Sequence, residues 1–468
     1  MRQGKSVSPL SLAINTITRA ITSFHPRSMP RLSRWHYRRE LAVWSLLPVA
    51  LGAVEGGVTG VLAKNAFEGT VGPAALSLAV AVLQGTPALA NIVSFLWAAL
   101  GHGRHKIRLI ASLQLLMILM VAMIALAPRT GGGLLILVVG AVGARMAWAG
   151  VVTLRSTVWR ANYPRHARAT LAGKLATVQA ILMAATAYVI GRAMSFNPDA
   201  FRIMYPAAAG IGLIGVLVYS GMRMRGHRAV IRAELDAKVS SGSLFNPLQW
   251  RGLLLADAKF RRYMTCMFVF GAGNLMVGAP LIIMLKDRFQ FNESKSVAIM
   301  TTIPLLLMPL SIPMWSRLLD RVHILQFRAV HSWAFVSSTA TVLIAALTMQ
   351  PWLLFLAATF KGIAYGGGVL AWNLGHHDFA PVEKASQYMG VHVTLTGIRG
   401  LLAPIVGVSV YEALEWIEPG AGAWVFGICL SLTLIGAVWF VLMRRTLTGR
   451  GGTADFEAGP PVQPPAAA

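Results

Sequence analysis

Four ionisable residues, Glu55, Arg145, Lys361 and Arg399, stand inside apolar runs that are otherwise almost free of charge. A charge held in hydrocarbon costs about 2.5–3.5 kcal/mol on insertion scales, so each is a functional candidate by default. Residues at helical spacing extend the same faces: Thr59 beyond Glu55, Tyr365 and then Trp372 beyond Lys361. Asn274, with Phe270 one turn before it, adds a neutral hydrogen-bonding group in another apolar run. His392, Thr396 and Arg399 recur at i, i+4, i+7 as a polar stripe that either faces a cavity or packs between helices. An acid beside a base can carry a proton, and a base can hold an anion. The plainer alternative for Glu55, Arg145 and Lys361 is an ion pair that only ties helices together, and for Asn274 a hydrogen bond to neighbouring backbone.

Other polar features carry weaker chemistry. Gln84, Gln114 and Gln179 read as interhelical hydrogen-bonding groups. The run Tyr365-Gly366-Gly367-Gly368 lacks a following Gly-Lys-Ser/Thr, so it is not a phosphate loop and fits close helix packing or a flexing point. Adjacent His376 and His377 point to different sides of a helix and lack a partner at metal-ligand spacing; Asp378 after them reads as a helix cap or a contact to basic loops. Cys266 and Cys429 form no metal pair. No cofactor and no catalytic set is implied.

The elements that must position these residues are membrane helices. Hydrophobic residues make up 56% of the chain and charged ones 13%, against roughly 45–50% and about 25% in soluble domains. The apolar blocks are long enough to cross the roughly 30 Å hydrocarbon core as helices, and they lack the period-two alternation of a membrane barrel. The expected spans are 41–63, 74–99, 108–127, 133–154, 170–191 and 203–222, then 263–285, 297–316, 328–348, 351–373, 386–410 and 422–443. At 1.5 Å per residue, Glu55 lies about 21 Å from the inner end of the first span and Lys361 about 15 Å from the outer end of the tenth. Both are deep in the core. The fold class is all-α and polytopic, with twelve helices in two groups of six.

Basic residues set the orientation, because Lys and Arg accumulate on the cytoplasmic side. With the amino terminus inside, the inner segments hold 32 Lys and Arg and the outer loops 7. Both termini are expected in the cytoplasm, with a plasma (inner) membrane as the setting. The same asymmetry accounts for the net charge of +25 without nucleic acid, since no recognition module accompanies it. Residues 1–40 form a basic arm suited to anionic headgroups, with an organellar transit segment as the alternative reading and no cleavable secretory signal visible. The expected organisation continues with a first bundle over 41–222, a basic connector over 223–262, a second bundle over 263–443 and a Pro/Gly/Ala-rich disordered tail over 444–468.

The two bundles resemble each other. A shift of 217 residues sets Pro164 on Pro381 and Gly173 on Gly390, and a shift of 218 sets Trp97 on Trp315. With the central connector, these matches point to an internal duplication.

Over about residues 40–445 the chain resembles the major facilitator superfamily. The likeness rests on six plus six spans, both termini inside, a long basic middle loop, and short basic loops after the second and eighth spans. The family's loop between spans two and three survives here only as Gly103-Arg104-His105-Lys106, with Leu100 where the family has Asp. The equivalent second-half loop keeps Asp320-Arg321, with Ser316 at the Gly position. In the family these loops latch the cytoplasmic side, which makes Arg104, Asp320 and Arg321 the gating residues implied. Arg145, Trp148 and Gly150 approximate the family's fourth-span pattern, while the antiporter Gly-Pro pattern is absent from the fifth span. The resemblance implies that spans one, four, seven and ten line a central cavity, placing Glu55, Arg145, Asn274 and Lys361 on its wall.

The expected function is secondary transport of a small solute by alternating access, proton-coupled through Glu55, with a monomer sufficient. The spans carry more positive than negative charge, which favours an organic anion or zwitterion held by Arg145 and Lys361. A neutral or lipophilic compound exported past Trp148, Phe270, Tyr365 and Trp372 is the alternative. A membrane-embedded transferase needs paired acids or a Ser/His/Asp set at one face, and the outer acids Glu412, Glu415 and Glu418 have no clustered base. A receptor derived from a transporter would show no flux.

Overall fold

The computed structural model describes residues 22–236, 247–376, 378–380 and 385–448, and no strand occurs among them. Most of the expected basic arm (1–21), the middle of the connector (237–246), His377, the loop with Pro381 (381–384) and the tail from 449 lie outside the described residues. Twelve helices are long and apolar enough to cross a membrane. They are α1 Arg31–Phe67, α2 Pro73–Val93, α3 Lys106–Leu126, α4 Gly131–Asn162, α5 Thr170–Phe196 and α6 Phe201–Ser220, then α7 Ala258–Asp287, α8 Glu293–Leu319, α9 Ile324–Thr348, α10 Pro351–Asn373, α11 Tyr388–Ile417 and α12 Ala421–Arg445. Two ends differ clearly from expectation. α1 begins at Arg31 rather than 41 and α4 runs to Asn162 rather than 154, because polar side chains there, Ser33, His36, Glu40 and Asn162, are buried against neighbouring helices. Hydropathy alone assigns such residues to a loop.

The duplication is visible in the packing. α1 packs on α6 as α7 packs on α12, and α3 on α4 as α9 on α10. The matched tryptophans do the same work twice: a Cβ on Gly150 would lie 3.0 Å from Trp97, and one on Gly367 would lie 3.0 Å from Trp315. Glycine there lets an indole press on the helix backbone. The halves meet symmetrically too, α2 against α11 and α8 against α5.

α1 is not one continuous helix. It runs as Arg34–Trp44, Leu47–Ala53 and Gly56–Phe67, and Glu55 between the last two is extended with ψ 139°. Pro48 opens the middle piece, where its missing N–H costs nothing. Gly56 fixes the exit, since a Cβ on it would sit 2.8 Å from the carbonyl oxygen of Gln84 on α2. α8 is also irregular, with a π-helical turn over Ala298–Thr302.

The halves converge at the end of the bundle away from the connector. There Lys64 pairs with Asp287 at 2.8 Å, and the Ser294 N–H donates to Ser195 Oγ at 2.8 Å. Midway, Gly400 of α11 packs on Ala88 and Leu89 of α2, 3.1 Å from their backbone to an added Cβ. Within each half α4 packs on α2 and α3, and α10 on α8 and α9.

Candidate functional site

The break in α1 forms the centre of the site. Where a helix stops, its last carbonyls lose their partners. The Arg145 side chain of α4 meets that need, its Nε donating to the Val54 carbonyl at 3.0 Å while its terminal nitrogen pairs with Glu55 Oε2. Arg145 is buried, and the Glu55 side chain keeps 21% exposure. The acid is thus joined to a base and still reachable by solvent. Thr59, expected on the cavity wall, is fully buried and donates to the Glu55 carbonyl at 3.2 Å, so it supports the break from behind.

The second half repeats the arrangement with different chemistry. Asn274 and Lys361 line one small cavity with Ser338 and Thr339, of ≈ 10 Å³ to the centres of water-sized spheres, about the room of one water. Their positions match Glu55 and Arg145 within a residue or two under the 217–218 shift. The Lys361 ammonium lies 5.7 Å from the Tyr365 ring centre, within cation–π range. No carboxylate among the described residues pairs with it.

Other expected residues fall elsewhere. Trp148 is buried edge-on to Trp44, and Phe270 is buried against Phe335 and Phe440, so these two aromatics belong to helix packing and do not join Tyr365 in a cavity. The His392–Thr396–Arg399 stripe is buried between α11 and α7, with Arg399 donating to the Met267 carbonyl. The Gln84 side chain packs across the halves on Gly278. Gly362 and Gly366 admit α8, and the Ile363 carbonyl accepts from Trp315 Nε1 at 2.8 Å and from Ser311 Oγ at 3.2 Å. No group of three metal-ligating side chains occurs among the described residues, and Asp378 caps α9 through the Ile324 N–H at 2.7 Å.

At the loops expected to gate, the described contacts lie beside the named residues. Arg104, Asp320 and Arg321 are exposed, and none enters an ion pair among the described residues. The engaged contact is Glu234, on the connector helix His227–Asp236. It accepts from the Gly103 N–H at 2.8 Å and pairs with buried Lys106 at 2.7 Å. A carboxylate from the connector thus contacts the turn in which Leu100 stands at the family's Asp position. Beside it the His105 and His227 rings lie 3.9 Å apart, and His105 is held below its usual pKa, first by burial and then by His227 and Arg108.

Sequence reasoning missed two further buried groups. Glu40, assigned to the arm, is buried in α1 and accepts from Trp44 Nε1 at 3.1 Å and Trp159 Nε1 at 3.0 Å. Arg155 covers both indoles, and Glu40 joins Glu55 as an acid within α1. The signal was the Glu40–Trp44 i, i+4 spacing. Arg328, the first residue of the expected ninth span, is buried in α9.

No family model and no curated protein matches the chain. Solved structures do. A mutant form of the nucleoside transporter NupG superposes with TM-score 0.66 at 16% identity, covering 86% of this chain and 99% of that one. This is the major facilitator fold. A D-xylose–proton symporter gives TM-score 0.62 at 12% identity over 86% of this chain and 96% of its own. A peptide-bound POT family transporter gives 0.62 at 13% over 90% and 99%. The major facilitator fold makes the chain a multi-pass membrane protein of two six-helix halves.

Proposed function

We propose that the protein is a secondary transporter that moves a small solute by alternating access, with proton movement coupled through Glu55 and Arg145. The observation that carries this reading is the ion pair at the break in α1. A discontinuous helix at mid-depth presents backbone groups and a carboxylate to the space between the halves, as in transporter ion sites. Protonating Glu55 removes its attraction for Arg145, so solute and proton affinities become linked. Similarity to a proton symporter in overall fold agrees with this chemistry. The excess of Arg and Lys in the inner loops supports a cytoplasmic connector side.

With Arg145 already neutralised by Glu55, Lys361 is the free charge of the paired arrangement, and the solute it suits is an organic anion or zwitterion. The neutral-compound reading loses the wall that Trp148 and Phe270 were expected to supply. Counterflow in proteoliposomes with anionic, neutral and cationic solutes, for wild type, Lys361→Met and Glu55→Gln, tests both claims. An anion should be favoured, Lys361→Met should lower its flux at least tenfold, roughly the loss of one charge-assisted contact, and Glu55→Gln should exchange solute without driving it by a pH gradient. Preference for cations, or unchanged anion flux in Lys361→Met, contradicts the anion assignment.

A further inference from the structure

The two halves treat their paired positions differently. In the first half α1 is broken at Glu55, and the acid stands against Arg145. In the second, α7 is interrupted at Val277, about one turn after Asn274, and Asn274 shares one cavity with Lys361. The matched position therefore holds a carboxylate in one half and a neutral amide in the other. Asn and Asp are nearly equal in size, so the difference lies in charge and hydrogen bonding. An ionised carboxylate only accepts, whereas an amide both accepts and donates.

An acid at position 274 would compete with an anionic solute for the Lys361 ammonium and would repel it. Asn274 leaves the ammonium available and can offer its own NH2 to an anionic oxygen. Thr339, 3% exposed, adds a hydroxyl to the same wall, while the Ser338 hydroxyl is spent on the Ala357 carbonyl at 2.9 Å. Among the described residues Lys361 is the one charged side chain lining this cavity. A single negative charge brings it to neutrality, and a second would stand unpaired among apolar groups at a high cost. The remaining wall, with Val277, Leu281, Ile299 and Val342, offers hydrocarbon only. Room for about one water limits the head to the size of a carboxylate and the body to a short chain. We infer, on the reading that this cavity receives an anionic solute, that the solute is a short-chain monocarboxylate and that Asn274 selects it by withholding the negative charge that Glu55 supplies in the first half.

The test uses purified full-length protein melted with increasing propionate, butyrate, succinate, butyramide or butylammonium at constant ionic strength and neutral pH. Propionate and butyrate should raise the apparent Tm saturably by mass action, and the other three should not at the same concentrations. Asn274→Asp should need at least about tenfold more butyrate for half the effect. Asn274→Ser, smaller but neutral, should weaken the response less. An Asn274 that only packs helices predicts the reverse order, since Asp is the closer match in size. Should Asn274→Asp fail to fold, Thr339→Asp sets the same charge on the same cavity from α9 and should show the same loss. Succinate acting as well as butyrate overturns the monocarboxylate, and an unchanged butyrate response in the acid variant overturns the role of Asn274; the anionic solute stands in both cases. No stabilisation by propionate or butyrate overturns the inference outright, and if butyramide or butylammonium stabilises instead, the anionic solute on which it rests falls with it.

Discussion

At the scale of single residues, the account turns on Arg145, which serves two masters at the break in α1: the Val54 carbonyl and the Glu55 carboxylate. Removing one partner of a buried ion pair costs about 3–5 kcal/mol because the other charge is left unpaired. Arg145→Gln should therefore lower the apparent Tm of the purified protein markedly, and adding Glu55→Gln should recover most of the loss. A double variant as unstable as the sum of the singles would show that the pair is not coupled. The residues themselves were legible, since Glu55, Arg145 and Lys361 interrupt apolar runs. Their pairing was not, because the break that brings Glu55 to Arg145 depends on Gly56 meeting the backbone of α2, a contact between distant segments. Trp148 and Phe270 were misplaced for the same reason: an aromatic in a span reads the same whether it faces a cavity or a neighbouring helix.

At the scale of elements, the connector helix holds the turn between α2 and α3 through Glu234. Glu234→Gln should loosen it, seen as faster hydrogen exchange over residues 227–236 and a shifted balance of states, while the Asp320→Asn change should do less. Unaltered exchange in Glu234→Gln would remove the latch. His105 adds a pH dependence with a definite sign. Its proton affinity is lowered in the docked state, so docking is fully favoured above the unperturbed value of about 6.5 and weakens as pH falls through and below it. Protection factors over the connector helix, taken relative to the intrinsic exchange rate at each pH, should fall on acidification. Leu100 hinted that a latch was incomplete, yet nothing local to residues 100–106 pointed to an acid more than a hundred residues away. The α2–α11 seam offers another handle. Gly400→Val would push against the Ala88–Leu89 backbone, so it should disfavour closure of the side away from the connector.

At the scale of the whole molecule, hydropathy was enough for twelve spans, and the Trp97–Trp315 match was enough for two halves, because both follow from solvent and duplication rather than from detailed packing. Orientation rests on loop charge. In a background lacking Cys266 and Cys429, a cysteine at Asn292 should react with an impermeant reagent from outside, and one at His102 only from the cytoplasm; the reverse pattern would invert the assignment. The central claim is that one chain opens alternately to either side. Its most direct test is electron–electron distance measurement on two spin-labelled pairs, Thr70 with Glu418 on the side away from the connector and Arg160 with Asn373 on the connector side. All four positions are exposed. Each pair should show two distances whose populations exchange as pH is varied between about 5 and about 8. One pair should lengthen as the other shortens. Pairs that lengthen together, or that keep a single distance under every condition, would contradict alternating access.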